Sequence, residues 1–311
     1  FEKKEIIFDQ HTEDDHIDFN DERTVPFMLS RQGPKAAVGD VNKDGLDDIY
    51  IGGARQQAGQ LYLQTANGFT KKETPDLKTF AFNDVTVAFF FDCDKDNDLD
   101  LFTGGGGNFA SATSGSFLNQ LFINDGKGNF TLKRGALPVM NTNCGAAFPL
   151  DYNNDGNIDL FIASRSIPQS YGEDAPAVLL QNDGAGNFTD VTAVTAPAFK
   201  TLGMITSACY EDINGDGKKD VIVTGEWMYP HVFSYNGKIF EESKTGLNNQ
   251  SGWWQSMQAA DIDKDGDMDL VLGNLGDNFY LQANATNPVK IWINDFDKNG
   301  ILDKVITKTV D

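Results

Sequence analysis

Asp40-Val41-Asn42-Lys43-Asp44-Gly45-Leu46-Asp47-Asp48 is the stretch from which the rest of this chain can be read. Oxygen-bearing side chains stand at its first, third, fifth and ninth positions, Asp40, Asn42, Asp44 and Asp48, with Gly45 at the sixth. The spacing recurs five times. The second copy supplies Asp92, Asp94, Asp96 and Asp100, the third Asp151, Asn153, Asp155 and Asp159, and the fourth Asp212, Asn214, Asp216 and Asp220. The fifth supplies Asp261, Asp263, Asp265 and Asp269, and the sixth Asp295, Asp297, Asn299 and Asp303. A hard cation such as calcium takes about six to eight oxygens in a flexible cage, and alternate residues of a tight loop supply them. The main-chain carbonyl at the seventh position adds another, from Leu46, Asp98, Asn157, Lys218, Asp267 and Ile301 in turn. Gly at the sixth position lets the backbone turn left-handed around the ion, and Asn97, the one exception, is the next most tolerant residue.

An EF-hand begins the same way but needs a glutamate at the twelfth position and flanking helices. Here that position holds Ile51, Thr103, Ile162, Val223, Leu272 and Ile306. The flanks are short β-branched and aromatic runs such as Val87–Phe91 before a loop and Leu160-Phe161-Ile162 after one, which read as strands. Each loop therefore joins two antiparallel strands. Asp, Asn and Gly also populate ordinary turns, but six copies with one oxygen spacing argue for a metal.

A second element lies between the loops. Gln60 to Phe69, Gln120 to Phe130, Val178 to Phe188 and His231 to Phe240 each read as strand, Gly-containing turn, strand. The unit is then four antiparallel strands, with a calcium loop between the first and second. Loops beginning 34 to 61 residues apart have the period of a propeller or solenoid. The expected fold is all-β: a β-propeller of four-stranded antiparallel blades, six or seven when complete.

These Asp/Asn loops, each followed by an apolar strand and Gly, resemble the FG-GAP or VCBS repeat, from about Gly33 to Asp303. Gly225-Glu226-Trp227, Gly252-Trp253-Trp254 and Gly273-Asn274-Leu275-Gly276 resemble the bacterial form. The resemblance implies the propeller of integrin α-subunits, some fungal lectins and large secreted bacterial proteins. It says little about activity, because one fold hosts many. The expected division is an N-terminal segment, 1–30, and a propeller, 31–311, forming part of a longer chain. Glu5-Ile6-Ile7-Phe8 is a candidate closing strand. The fifth unit is short, lacking the second hairpin.

The chain carries 46 acids against 25 bases, a net charge of −21. Twenty of the acids occupy the loop positions above, so the acidity reads as a metal signature and disfavours nucleic acid. No apolar run is long enough to span a membrane, and no signal peptide is visible. Calcium loops of this kind suit the millimolar ion outside cells, so the expected location is extracellular, at a bacterial cell surface or in the periplasm. Cys93, Cys144 and Cys209 read as buried thiols, and no His/Cys cluster suggests zinc.

With the calcium loops on one face, connections after the second strands emerge on the other. Those connections and the turns entering the first strands carry Arg55, Arg165, Trp227, Trp253 and Trp254, a candidate ligand face for a protein or glycan. Gly104 to Gly107 reads as a flexible connection. No local nucleophile motif appears. The leading expectation is a binding module without chemistry. Its rivals are a lyase-like glycan-processing domain and an accessory subunit of an outer-membrane complex.

Overall fold

The computed structural model describes residues 8–82, 84–284, 286–300 and 302–309. The chain is all-β, with little helix. Its first sheet is β1 (Ala36–Gly39), β2 (Asp48–Ile51), β3 (Gln60–Thr65) and β4 (Gly68–Lys72), paired antiparallel in chain order. The second is β5 (Asp84–Phe91), β6 (Asp100–Gly106), β7 (Gln120–Asn124) and β8 (Phe130–Leu132). The third is β9 (Asn143–Leu150), β10 (Asp159–Ser166), β11 (Ala177–Asn182) and β12 (Phe188–Asp190). The fourth holds β13 (Met204–Glu211), β14 (Asp220–Met228), β15 (His231–Tyr235) and β16 (Phe240–Glu242). Two strands follow, β17 (Gly252–Ala260) and β18 (Asp269–Asn274), joined to the fourth sheet where Glu226 faces Trp253. A last hairpin is β19 (Val289–Asn294) and β20 (Asp303–Lys308). All six acidic loops connect the strand pairs expected of them.

Consecutive sheets pack through their first strands: β1 touches β5, β5 touches β9, β9 touches β13, and β13 touches β17. Small residues permit this approach. Ala36, Ala88, Gly145, Ala147 and Ser207, from four different sheets, line one cavity of about 200 Å³. The second strands β6, β10 and β14 are buried on both faces, and alternate residues serve alternate neighbours. Leu101 belongs to the apolar cluster shared with the first sheet, whereas Phe102 belongs to the one shared with the third. Leu160 and Phe161 divide in the same way. Each such side chain contributes about 1.5–3 kcal/mol of burial, so sheet stacking is the main stabilising element.

Several expectations from sequence change here. Gly104 and Gly106 are buried strand residues of β6, not a flexible connection. A Cβ on Gly104 would lie 2.5 Å from the Cys144 sulfur, and one on Gly106 2.3 Å from Thr86. Glycine is there because strands approach closely. Arg165 and Trp227 lie within β10 and β14, which run further than expected, and Trp253 and Trp254 lie within β17. Of the candidate closing strand, Glu5 to Ile7 lie outside the described residues. Phe8 packs 4.6 Å from the Tyr62 ring and 5.7 Å from Phe69, in the first sheet. All three cysteines are free; Cys93 and Cys144 are buried and Cys209 partly so.

Candidate functional site

The acidic loops are wound by their own backbone. In the first, the Asp44 N–H donates to Asp40 Oδ1 at 3.1 Å and the Gly45 N–H to Oδ2 at 2.8 Å. Asp151, Asp212 and Asp295 accept the same two bonds from their fifth and sixth residues. Every loop has positive φ at the sixth position, from 63° at Asn97 to 99° at Gly266. The fourth position, which sequence reading passed over, does too: Lys43 61°, Lys95 65°, Asn154 55°, Gly215 71°, Lys264 65° and Lys298 61°. A left-handed lysine costs about 1 kcal/mol or more. Only Asn154 and Gly215 hinted at this conformation.

The ninth carboxylate has a structural task. Asp48 accepts N–H bonds from Val41 (3.1 Å) and from Gln64 of β3 (2.8 Å). Asp100 does the same with Cys93 (3.0 Å) and Asn124 (2.9 Å), and Asp159 accepts from Asn182 at 2.8 Å. Asp48, Asp100, Asp159 and Asp220 are at most 1% exposed. Burial raises all four above the usual carboxylate range, Asp159 to about 7, with the loop's other acids adding to it.

These residues fit a cation. Ligand oxygens of Asp92, Asp94 and Asp96 lie within 4.8 Å of one another, as do those of Asp261, Asp263 and Asp265, and of Asp295, Asp297 and Asp303. Asp94 Oδ1 and Asp261 Oδ1 are shielded from water without a hydrogen-bond donor. A buried carboxylate oxygen without a donor is costly, and a bound cation would remove that cost. Burial, then Asp96, raises Asp94, against a smaller opposing pull from Lys133, as expected of packed acids. Burial also pushes the neighbouring Cys93 thiol up, which keeps it protonated and a poor ligand. The donor set is hard oxygen, suited to calcium. Among the remaining expected ligands, Ile301 lies outside the described residues.

Neighbouring loops are linked. The Lys43 ammonium of the first pairs with Asp98 of the second. The Asn124 amide, at the end of β7, donates to the Val41 carbonyl of the first loop at 2.8 Å. Asn182 repeats this one sheet on, donating to the Cys93 carbonyl at 2.7 Å. No local motif announces these bonds between sheets.

The candidate ligand face is divided. Arg55 pairs with Asp14 and lies 4.5 Å over the Phe109 ring. Arg165 pairs with buried Glu226, bonds Gln255 at 3.1 Å and sits 5.3 Å from the Phe27 ring centroid. Tyr171 donates to Glu226 at 2.8 Å and accepts from Trp227 Nε1 at 2.9 Å. Tyr171 and Gln255 were not singled out from sequence. Trp227, Trp253, Phe279 and Tyr280 form a run of rings 4.5–4.8 Å apart. Trp253 is buried, whereas Tyr280 at the end of the run is 66% exposed. Trp254 stands apart and half-buried, its Nε1 donating to Gln250 O at 2.9 Å. Segment 9–31 covers much of this face: Glu22 accepts from Tyr171 N–H at 2.7 Å and pairs with Lys304, and Val25 and Leu29 pack with Tyr171 and Met204.

Comparison with known proteins decides the family, because the FG-GAP-like repeat matches residues 40–103, 92–162, 151–223 and 212–272. The chain belongs to the FG-GAP-like repeat family. Each match begins at the first aspartate of one loop and ends at the twelfth residue of the next. This FG-GAP-like protein is 25% identical over 291 residues to cartilage acidic protein 1 of Xenopus tropicalis. The match covers 82% of this chain but only 42% of that protein's length. Among solved structures, it resembles an Agrocybe aegerita lectin described as recognising non-reducing terminal N-acetylglucosamine. That likeness has 17% identity and a TM-score of 0.51, covering 88% of this chain and 66% of the lectin; it bears on fold. The V. cholerae biofilm matrix protein Bap1 is more distant, at 17% identity, a TM-score of 0.35, and coverage of 79% and 34%. No helix among the described residues is long and apolar enough to cross a membrane.

Proposed function

We propose that this FG-GAP-like chain is a calcium-stabilised β-propeller module, acting outside the cell or at a bacterial surface, that binds a glycan or protein. The observation that carries it is the set of acidic loops, in which clustered carboxylates and undonated buried oxygens call for a cation. Calcium would be held by the first, third, fifth and ninth side chains and the seventh carbonyl of each loop. The bound ion supplies positive charge that lets packed carboxylates stay ionised. The chain's own residues wind the loops and tie the first two to the next sheet. First strands stacked around a shared small-residue cavity support a radial arrangement, with six or seven blades when complete.

The ligand reading narrows to exposed Tyr280 and half-buried Trp254, the latter paired across the sheet with Asn274. Flat rings with neighbouring amides suit a sugar. Arg165, Tyr171 and Glu226, which a lyase would need open, lie under Phe27 and bond one another, so binding without chemistry is the better reading. Two measurements test it: the calcium count by native mass spectrometry, and glycan-array binding. A protein that takes up no calcium at millimolar concentration overturns the metal reading. A calcium-loaded protein that binds no glycan or protein ligand overturns the binding reading.

A further inference from the structure

In the second and third sheets the third strand ends on an asparagine that holds two acidic loops at once. The Asn124 backbone N–H donates to Asp100 Oδ1, in the ninth place of the second loop, at 2.9 Å. Its side-chain amide donates to the Val41 carbonyl, second in the first loop, at 2.8 Å and to the Leu99 carbonyl, eighth in the second, at 3.2 Å. Asn182 makes the same three bonds one loop on, to Asp159 at 2.8 Å, Cys93 at 2.7 Å and Ile158 at 2.9 Å. Both side chains are buried, and each amide oxygen accepts a turn N–H, from Gly128 or Gly186. Neither amide can turn over without losing all of its side-chain bonds. The first and second loops share an ion pair as well, between Lys43 and Asp98.

This relay ends after the third loop. Strand register puts Tyr235 of the fourth sheet in the place of Asn124 and Asn182. Its ring packs 5.2 Å from the ring of Tyr152, second in the third loop. A phenol ring has no amide with which to hold carbonyls of two loops.

We infer that the first three acidic loops take up calcium as one cooperative unit, each filled loop raising the affinity of its neighbour, and that the fourth loop binds outside that unit. The inference rests on the calcium reading above. Asp100, once it is fixed as a ligand of the second loop, fixes the end of β7 through Asn124. The Asn124 amide then holds the Val41 carbonyl, so the first loop is wound before its own ion arrives. A loop already ordered loses less conformational entropy on binding, and linkage makes the effect reciprocal. The charge of one ion works against the next, but it is screened over about 8 Å at physiological ionic strength. Asn182 joins the second loop to the third in the same way.

The probe is calcium alone, titrated at physiological salt into the metal-stripped 311-residue protein while amide hydrogen exchange is followed in residues 40–48, 92–100, 151–159 and 212–220. The first three loops should gain protection at one shared calcium midpoint with a Hill slope above one, and the fourth at a midpoint of its own. Asp96→Ala, which removes an oxygen of the second loop, should raise the midpoints of the first and third about fivefold or more and leave the fourth in place. Combined with Asn182→Ala, it should no longer move the third loop but should still move the first; a merely structural asparagine would not separate the two. Separate midpoints for the first three loops in the parent protein overturn the inference, even if a variant fails to fold. So does a third loop that still shifts without Asn182. A fourth loop that moves with the others reports global folding and also overturns it. No protection in any loop at millimolar calcium overturns the calcium reading itself, and the cooperative unit with it.

Discussion

The side-chain amide of Asn124 donates to the backbone carbonyl of Val41 at 2.8 Å, joining the end of a third strand in one sheet to the acidic loop of the sheet before it. Asn124 also donates to the Leu99 carbonyl of its own loop at 3.2 Å and accepts from Gly128 N–H at 3.0 Å. One buried amide thus connects two acidic loops and a tight turn. Asn182 repeats the arrangement with Cys93, Ile158 and Gly186. Loop winding and sheet stacking are therefore mechanically linked.

From this link, Asn124→Ala is expected to leave two carbonyls and one N–H short of partners. The cost is about 1–3 kcal/mol. At roughly 2–4 °C per kcal/mol for a chain of this class, the melting temperature should fall by several degrees. Asn182→Ala should do the same. Thermal melts check it; Asn129→Ala, at an exposed turn, is the control and should change little.

Calcium removal is expected to lower the melting temperature substantially, because an ion that binds only the folded state adds about 2.7 kcal/mol per site at a hundredfold excess over Kd. Melts with and without chelator measure this. Asp265→Ala, which removes a central oxygen from the fifth loop, should reduce the ion count by one in native mass spectrometry. An unchanged count would remove that loop from the metal sites.

Asp84 predicts a pH dependence away from the acidic loops. Burial raises its carboxyl from 3.8 to about 7, with Glu13 and Asp14 adding to the effect against the bond from Arg55 N–H. Between those pH values the folded state holds a proton that the unfolded state has released. Stability from this group is therefore present below about pH 4 and lost as pH rises through 7. Asp84→Asn keeps an acceptor for Arg55 N–H and removes the titration. The variant should melt a few degrees higher than the parent at pH 8 and equally at pH 4. A parallel pair of pH profiles would contradict it.

The tryptophans should separate by burial. Trp253→Ala removes a buried ring between Trp227 and Phe279 and is expected to cost about 3–5 kcal/mol. Trp254→Ala and Tyr280→Ala should leave the melting temperature nearly unchanged and weaken glycan binding tenfold or more, in line with an aromatic hot spot of about 2 kcal/mol. Array binding and thermal melts on the three variants check both halves. A well-folded Tyr280→Ala that binds equally well removes Tyr280 from the ligand surface.

Sequence alone determined the strand–loop–strand unit, because both the oxygen spacing and the β-branched and aromatic character of the flanking runs are local properties. Asp40 to Asp48 needs only its own backbone bonds to close, and Leu160-Phe161-Ile162 needs only its β-branched and aromatic character to extend. The EF-hand was excluded on the same local ground, by Ile51 and its counterparts. What surrounds each unit was left to tertiary structure. Gly104 and Gly106 read as a loop until the approach of Cys144 and Thr86 made them strand residues. Arg55 and Arg165 read as open to a ligand until Asp14, Glu226 and Phe27, distant in the chain, closed on them. Tyr50 and Val271 occupy the same place in their repeats, yet one is buried and the other half exposed. Burial depends on which sheet stands beside a residue, and that neighbour is set by packing over long sequence separations that no local pattern encodes.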